Sequence, residues 1–517
     1  MRLLLGIDKG TTMTKAVVFD ADTGAAVATA RRPTPSFHPH ADWHEEDMAS
    51  TWAGVAAAIR DAITATGRPA SEIAGVGVSG HMGGLWALDR HRQPVGRAIA
   101  WPDGRACGLL DGWQRDGTVD RLYDICGNAP IPGLPLVLLA HMKRHEPAFF
   151  DGIQHLMLAK DYVNYRLTGE LVTDESDLSF FPCDIRERRF SPALFELAGV
   201  PEAEAWLPAV LPTGAALGRV TREAAAATGL VEGTPVSTGA GDAVAAAIGV
   251  GALEAGQAVT VIGTSFMNNL TTDRPLLEPR GVGFLFLMPD GRWQRLMSNT
   301  GGGSLCLKWV LDTFGARWGA EGKPDEDALY ARIEAEARGL PPLPAGLVFH
   351  PYLNTSGMSA PRFEPCARAS IFGLDLSVTP IALLRSVMEG VALAMVDCYG
   401  AIDAPVRDIR LTGGGARSAL WREICAAAMN RPLQIPEVEE TGALGVAMLA
   451  ATAVGLYADL PAAARGMVRF GPAVEPQPRL AEAYAAAYPL FRSLREQMTP
   501  LWAQRAALLA STTHRLP

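Results

Sequence analysis

The sequence is poor in features that would place it outside the cell or on a charged polymer. It has seven cysteines in 517 residues, Cys107, Cys126, Cys183, Cys306, Cys366, Cys398 and Cys425, widely spaced and with no CxxC. That excludes a disulfide-framed secreted scaffold and a zinc ribbon, and points to a reducing compartment, so a cytoplasmic protein is expected. Positive charge is also in deficit: the formal net charge is −9. A surface that grips nucleic acid regardless of sequence needs clustered Lys and Arg, so no nucleic-acid partner is expected. Long hydrophobic runs are missing. Ala443–Leu456 comes nearest and is too short to span a bilayer, and Leu3–Ile7, cut off by Asp8, is too short for a signal-peptide core. No membrane partner is expected. Neither GxxxxGK[ST] nor a GxGxxG between strand and helix occurs, which excludes a P-loop and a dinucleotide-binding fingerprint.

What is present is a balanced globular composition, 48% hydrophobic and 20% charged, with 53 Gly and 37 Pro to make turns. At about 100–200 residues per domain the chain holds two to four units. Strand-like and helix-like segments alternate: Met48–Ala65 has helical periodicity, and IAGVGVSG (Ile73–Gly80) reads as a strand ending in glycine. This is an α/β pattern. LLLGIDKGTTMTKAVVFD and QAVTVIGTSFMNNLTTD share one layout, an apolar strand, a Gly-Thr turn and a second strand, near half the chain length apart. The echo predicts two related domains facing across a cleft, residues 1–250 and 251–517, divided at the glycine-rich GVGALEAG (Gly249–Gly256).

Three stretches carry candidate chemistry. In DKGTTMTK, a tight turn can aim backbone N–H groups and the Thr11 and Thr12 hydroxyls at phosphate oxygens. Asp8 can hold Mg²⁺ directly or through water, and Lys15 can add positive charge near a transferred phosphoryl. An ordinary polar hairpin is the plain alternative. In GAGDAVAAAIGVG, Asp242 stands where a strand hands over to an Ala-rich helix; it reads either as a helix cap or as the general base for phosphoryl transfer to an alcohol. In LTGGGARSALWREI, three consecutive glycines are costly unless a ligand or backbone comes close. ETGALGVAMLAATAVG reads as a helix with small residues on one face, suited to tight helix–helix contact.

These stretches, with IAWPDGR, KDYVNYRLTGELVTDESD and FGLDLSVTPIALLRSVMEG, resemble the FGGY carbohydrate kinases in order and spacing from about Leu3 to Tyr457. The resemblance implies two ribonuclease-H-like domains of the actin/Hsp70/sugar kinase superfamily flanking an interdomain cleft. The implied activity is ATP- and Mg²⁺-dependent phosphorylation of a small sugar or polyol, and a homodimer is a candidate assembly. By matching position, Asp242 is the catalytic base and Asp8 organises the metal. Thr11, Thr12 and Lys15 form the first phosphate hairpin, Gly263 and Thr264 the second, and Gly414, Gly415, Ala416 and Ser418 the adenosine segment. His81, Met82, Trp101, Asp103 and Arg105 lie near the sugar, with Trp43 and Glu45 on the family's tryptophan-and-acid strand.

The departures concern the sugar. Many xylulose kinases have Met-His at Met82-Gly83 and Asn at Ala243; glycerol kinases have Arg-Glu and Gln there. Leu138, His141 and Ala382 also depart from the family pattern. The layout also resembles kinases of L-xylulose, so a pentulose is the expected acceptor, with a tetritol such as erythritol or a hexulose as alternatives. A sugar-responsive repressor on this scaffold would carry an N-terminal helix-turn-helix, for which a hairpin beginning at residue 3 leaves no room. An actin- or Hsp70-like ATPase would not need the AIAWPDGR and SGHMGG stretches. Four other stretches are expected to be structural. HPHADWHEE reads as a surface turn rather than a metal site, Lys160, Asp161 and Asp174 as an ion-pair network, Arg186–Arg189 as a solvated face, and Leu480–Leu509 as helix broken at Pro489 and Pro500.

Overall fold

The apolar runs on either side of DKGTTMTK form strands Leu3–Lys9 and Met13–Asp20, which pair antiparallel. The computed structural model describes residues 2–314 and 326–513. Ala26–Pro33 extends the meander, while Ile73–Gly80 pairs parallel on the other side of the first strand, followed by Pro235–Ser237 and Ala216–Arg219. Ala240–Gly241 joins the end of Ile73–Gly80 and completes a seven-stranded sheet.

A second sheet repeats the plan. Gln257–Ile262 and Phe266–Thr272 pair antiparallel, Arg292–Asn299 and Phe284–Met288 continue the meander, and Asp408–Thr412 then Leu433–Gln434 lie parallel on the far side. The faint sequence echo is therefore a topological repeat, and the chain has the two-domain mixed α/β architecture expected. No helix among the described residues is long and apolar enough to cross a membrane.

Strand periodicity explains how the first sheet is covered. Side chains alternate between faces. Leu3, Leu5 and Ile7 point to the core shared with helix Met48–Ala65, whose N-cap Asp47 accepts from the Ser50 N–H. Leu4 and Gly6 point the other way, toward helix Thr441–Ala453, which comes from far beyond the second sheet's first strands. At about 1.5–3 kcal/mol for each fully buried leucine, both faces matter to stability. The helix lies unusually close: a Cβ at Gly6 would meet the Ala443 carbonyl, and one at Gly77 the Val446 carbonyl. Helix Asp242–Gly249 crosses the same helix at close range, where a Cβ at Gly445 would strike the Ala245 carbonyl. The small-residue face thus makes the tight helix contact its composition foretold, and also seats on a sheet.

Two expectations need correction. The C-terminal segment is one helix, Pro478–Thr513, running through Pro489 and Pro500. Each proline removes one hydrogen bond, but the buried side chains of Tyr484, Phe491 and Trp502 hold the helix to the core on both sides of the interruptions. Arg188, assigned to a solvated face, is instead a clasp: its guanidinium stacks over Trp293 and donates to the Met288 and Arg292 carbonyls.

Candidate functional site

Asp242 is the first residue of helix Asp242–Gly249, directly after the short strand Ala240–Gly241. The backbone N–H of Ala243 donates to its Oδ1 at 2.7 Å, and no Lys, Arg or His among the described residues pairs with it. The side chain is exposed to solvent although protein surrounds it at longer range. Desolvation at that depth, with the nearby Asp8 carboxylate, pushes its pKa up to about 7, against the lowering effect of the helix N-terminus. Such a carboxylate is free to take a proton from a bound hydroxyl.

Asp8 ends the first strand's cleft side, half-buried and raised in pKa by burial, an effect opposed by Lys15 and reinforced by Glu440. Asp8 thus sits among charges of both signs, with Glu440 itself paired to Lys15 and Arg31. No group of three His, Cys, Asp or Glu that could cage a metal occurs among the described residues. Mg²⁺ binds through one or two carboxylates, waters and substrate phosphates rather than an all-protein cage, and Asp8 is the residue here that could serve as such a carboxylate.

In the hairpin turn, the Gly10 N–H donates to the Met13 carbonyl at 3.0 Å, leaving Thr12 exposed and Thr11 partly so. The indole N–H of Trp101 donates to Thr11 Oγ1 at 3.0 Å, which ties the expected sugar segment to the phosphate hairpin. With 40% of its surface exposed, Trp101 is available as a stacking face rather than as core packing. Lys15 is paired: its Nζ lies 2.6 Å from Glu440 Oε2, and Arg31 holds the other oxygen at 2.6 Å. Burial would raise the Glu440 pKa, but these two hydrogen bonds outweigh it and keep the carboxylate ionised.

The structure separates the remaining sugar candidates. His81 is buried; its Nε2 lies 3.1 Å from both Lys9 Nζ and Glu46 Oε1, and Lys9 bonds Glu46 directly over the Trp86 ring. Burial and Lys9 both lower the His81 pKa, which keeps the ring neutral. Asp103 has both oxygens occupied, by Arg105 and by the His44 N–H, and Arg105 in turn reaches Glu45 at 2.8 Å and stacks on Trp43 at 3.9 Å. Asp103 therefore shapes the loop behind Trp101. Met82 is buried with its sulfur against Gly241, one residue before Asp242. Gly83 has φ of +81° and lies against Trp101, so a side chain there would be strained. In HPHADWHEE, His38 meets His44 edge-on and its ring nitrogen lies 3.0 Å from the Trp43 carbonyl, as in a packed surface turn.

On the second sheet, Gly263 and Thr264 form the corresponding turn, with Thr264 exposed. A glycine run absent from the sequence-based candidates closes onto it: Ser304 N–H donates to the Gly263 carbonyl at 2.7 Å and Gly303 N–H to that of Thr264 at 3.3 Å. The signal was available, since NTGGGS ahead of a helical stretch repeats the pattern of LTGGGARS. Helix Ser304–Phe314 starts there and presents its N-terminus to the turn. Beside it is a cavity of about 480 Å³ lined by Ser304, Leu307, Ile333, Met388, Gly414 and Trp421, with Gly415 and Ser418 also on its wall. Ser418 caps helix Ala419–Met429 by accepting from the Trp421 N–H. A second cavity, about 350 Å³, adjoins at Gly414 and Arg417, includes Ala416 on its wall and reaches Lys15. Gly415 is pressed against Ile262, but a Cβ at Gly414 would meet nothing within 4 Å and would enter the cavity. The first cavity is a largely apolar slot with glycine backbone at its lip, the kind of surface that takes a flat ring; in the second, Lys15 and Arg417 are each paired with a glutamate of the same wall, Glu440 and Glu439.

Comparison with known proteins agrees with this geometry. Residues 3–249 match the FGGY family of carbohydrate kinases, N-terminal domain, and residues 258–454 its C-terminal domain. The chain is 29% identical to erythritol kinase of Brucella abortus (strain 2308), covering 98% of each. It is 29% identical to L-xylulose/3-keto-L-gulonate kinase of Escherichia coli (strain K12), covering 90% of each. Xylulose kinase from Rhodospirillum rubrum superimposes with a TM-score of 0.86 at 29% identity, covering 97% of this chain and all of that one.

Proposed function

Since this chain belongs to the FGGY family of carbohydrate kinases and is a sugar kinase, we propose that it transfers the terminal phosphoryl of ATP to a hydroxyl of a pentulose such as xylulose, with Asp242 as general base. The observation that carries this reading is the state of Asp242: an acid at a helix start, exposed to solvent, without a cationic partner among the described residues, and within electrostatic reach of Asp8 in the first hairpin. When bound, Mg²⁺ would neutralise phosphate charge, with Asp8 as its holder. Thr11, Thr12, Gly263 and Thr264 orient phosphate oxygens from the two turns, and the cavity beside Gly414 takes the adenosine. Trp101 supplies a face for the sugar, and Asp242 receives the hydroxyl proton as the new P–O bond forms. Closure of the cleft excludes water and so limits wasteful hydrolysis.

A tetritol such as erythritol is the second reading. Gly83 and Ala243 offer no hydrogen-bonding side chain beside Met82 and Asp242, and the left-handed backbone at Gly83 accounts for the first of these. That suits an acceptor with fewer hydroxyls to fix. A coupled assay for ADP release across pentuloses, tetritols, pentitols and hexuloses decides between them. A pentulose with the highest kcat/KM supports the first reading, a tetritol the second, and ADP release with no phosphorylated product overturns both.

A further inference from the structure

Lys160, Asp161, Asp174, Ser176 and Asp177 form a buried polar cluster that reaches the residue just before Asp242. The Gly241 N–H donates to Ser176 Oγ at 2.8 Å. Ser176 Oγ donates to Asp174 Oδ2 at 2.6 Å, and Thr213 Oγ1 donates to the same oxygen at 2.6 Å. The other Asp174 oxygen lies 3.0 Å from Lys160 Nζ, which also bonds Asp161 at 2.6 Å and faces Asp177 at 3.3 Å. Lys160, the three aspartates and Ser176 are all at most 1% exposed.

Gly241 is held from the other sides as well: a Cβ there would stand 2.8 Å from Asp177 Oδ1 and 2.6 Å from Met82 Sδ. The residue before the base is therefore boxed by side chains and pinned through its N–H. Removing one partner of a buried charged network costs far more than the network's net contribution to stability, so this cluster keeps its geometry unless it is cut at its neutral end.

We propose that Ser176, oriented by Asp174 and Lys160, is a positioning residue that fixes the aim of the Asp242 carboxylate. It acts only through Gly241 and touches neither substrate nor phosphate. The inference rests on Asp242 being the base, and the two can be told apart. In Ser176→Ala the Gly241 N–H loses its acceptor and the loop relaxes. Turnover should then fall about 3- to 10-fold, the effect of one hydrogen bond, while KM for ATP stays at the parent value. The acid limb of the kcat–pH profile should move toward the ordinary carboxylate range as the Asp242 carboxylate becomes free to turn away from Asp8.

Thr213→Val, which loosens Asp174 from a half-buried position, should reproduce the same changes at smaller size and stands in if Ser176→Ala fails to fold. Steady-state kinetics over a pH series, with Asp242→Asn alongside, separates the outcomes. Loss of turnover in Asp242→Asn with parent kcat and pH profile in the soluble Ser176 or Thr213 variants overturns this inference alone. Parent turnover in Asp242→Asn overturns the general-base reading and this inference with it.

Discussion

The first and second hairpins share a topology and differ in almost everything else. Leu3–Asp20 brings an acid, a lysine and two threonines to its turn, and an exposed tryptophan from another segment bonds to it. Gln257–Thr272 brings Gly263, Thr264 and Ser265, with no charge, and is backed by a glycine turn and a helix N-terminus. The repeat supplies the same backbone platform twice, and side-chain chemistry has been invested in only one copy. The C-terminal copy offers backbone and small hydroxyls in place of charge, and its turn is held by N–H groups of Gly263, Gly303 and Ser304 that donate to carbonyls of the same turn.

That contrast can be broken. Asp242→Asn should lower turnover by about 10²–10⁴-fold, the range for a general base, while isothermal titration finds ATP binding unchanged. Asp8→Asn should cost about 10- to 100-fold, as for a hydrogen bond or contact to a charged group. Thr264→Ala should cost less than about 10-fold, since the turn's N–H groups remain. Equal losses in Asp8→Asn and Thr264→Ala would show that the two hairpins do not differ as argued. Gly414→Val should weaken ATP binding by about 10-fold or more through occupancy of the cavity, with the melting temperature unchanged. Gly415→Ala should lower the melting temperature, because its Cβ meets Ile262.

The pH dependence sharpens the same comparison, with a smaller effect. Asp242 must be ionised to accept a proton, so kcat/KM for the acceptor should rise with pH through about 7. With saturating magnesium nucleotide the midpoint of kcat should lie lower, because added positive charge favours the carboxylate. A profile flat from about pH 5 to pH 8 would sink the assignment. For stability the sign runs the other way: a carboxylate whose folded pKa is raised contributes stability below that pKa and loses it as pH rises. Asp177, raised well above the ordinary range by burial and only partly offset by Lys160, should therefore make the fold lose stability as pH rises from the ordinary carboxylate range toward that raised value. Asp177→Asn should blunt that decline, as followed by thermal melts across pH.

Much of this arrangement was legible in the residues because the signals were local. Alternating apolar strands around Gly-Thr turns announced the two sheets, and Asp242 before an Ala-rich helix announced itself. The Lys160–Asp174 network was readable because its members lie within one short segment. What was not legible depended on contacts distant in sequence. Lys15 meets Glu440 across 425 positions, and Lys9, Glu46 and His81 meet in a buried cluster that no spacing rule suggests. Asp103 is enclosed by Arg105 two residues on, yet only the folded loop brings the His44 N–H to complete the enclosure. The prolines of the last helix read as breaks because local rules cannot weigh the aromatic side chains that hold the helix together.

Helix Thr441–Ala453 has one more implication. It belongs by sequence to the second half of the chain but roofs one face of the first sheet, with carbonyls set where Cβ atoms would otherwise stand. Neither half owns a complete interior. A fragment ending near residue 250 would expose Leu4, Val17 and Phe19 to water, and severed halves should regain their shape only when mixed. Heat should melt the whole chain in one step, despite its two separate sheets.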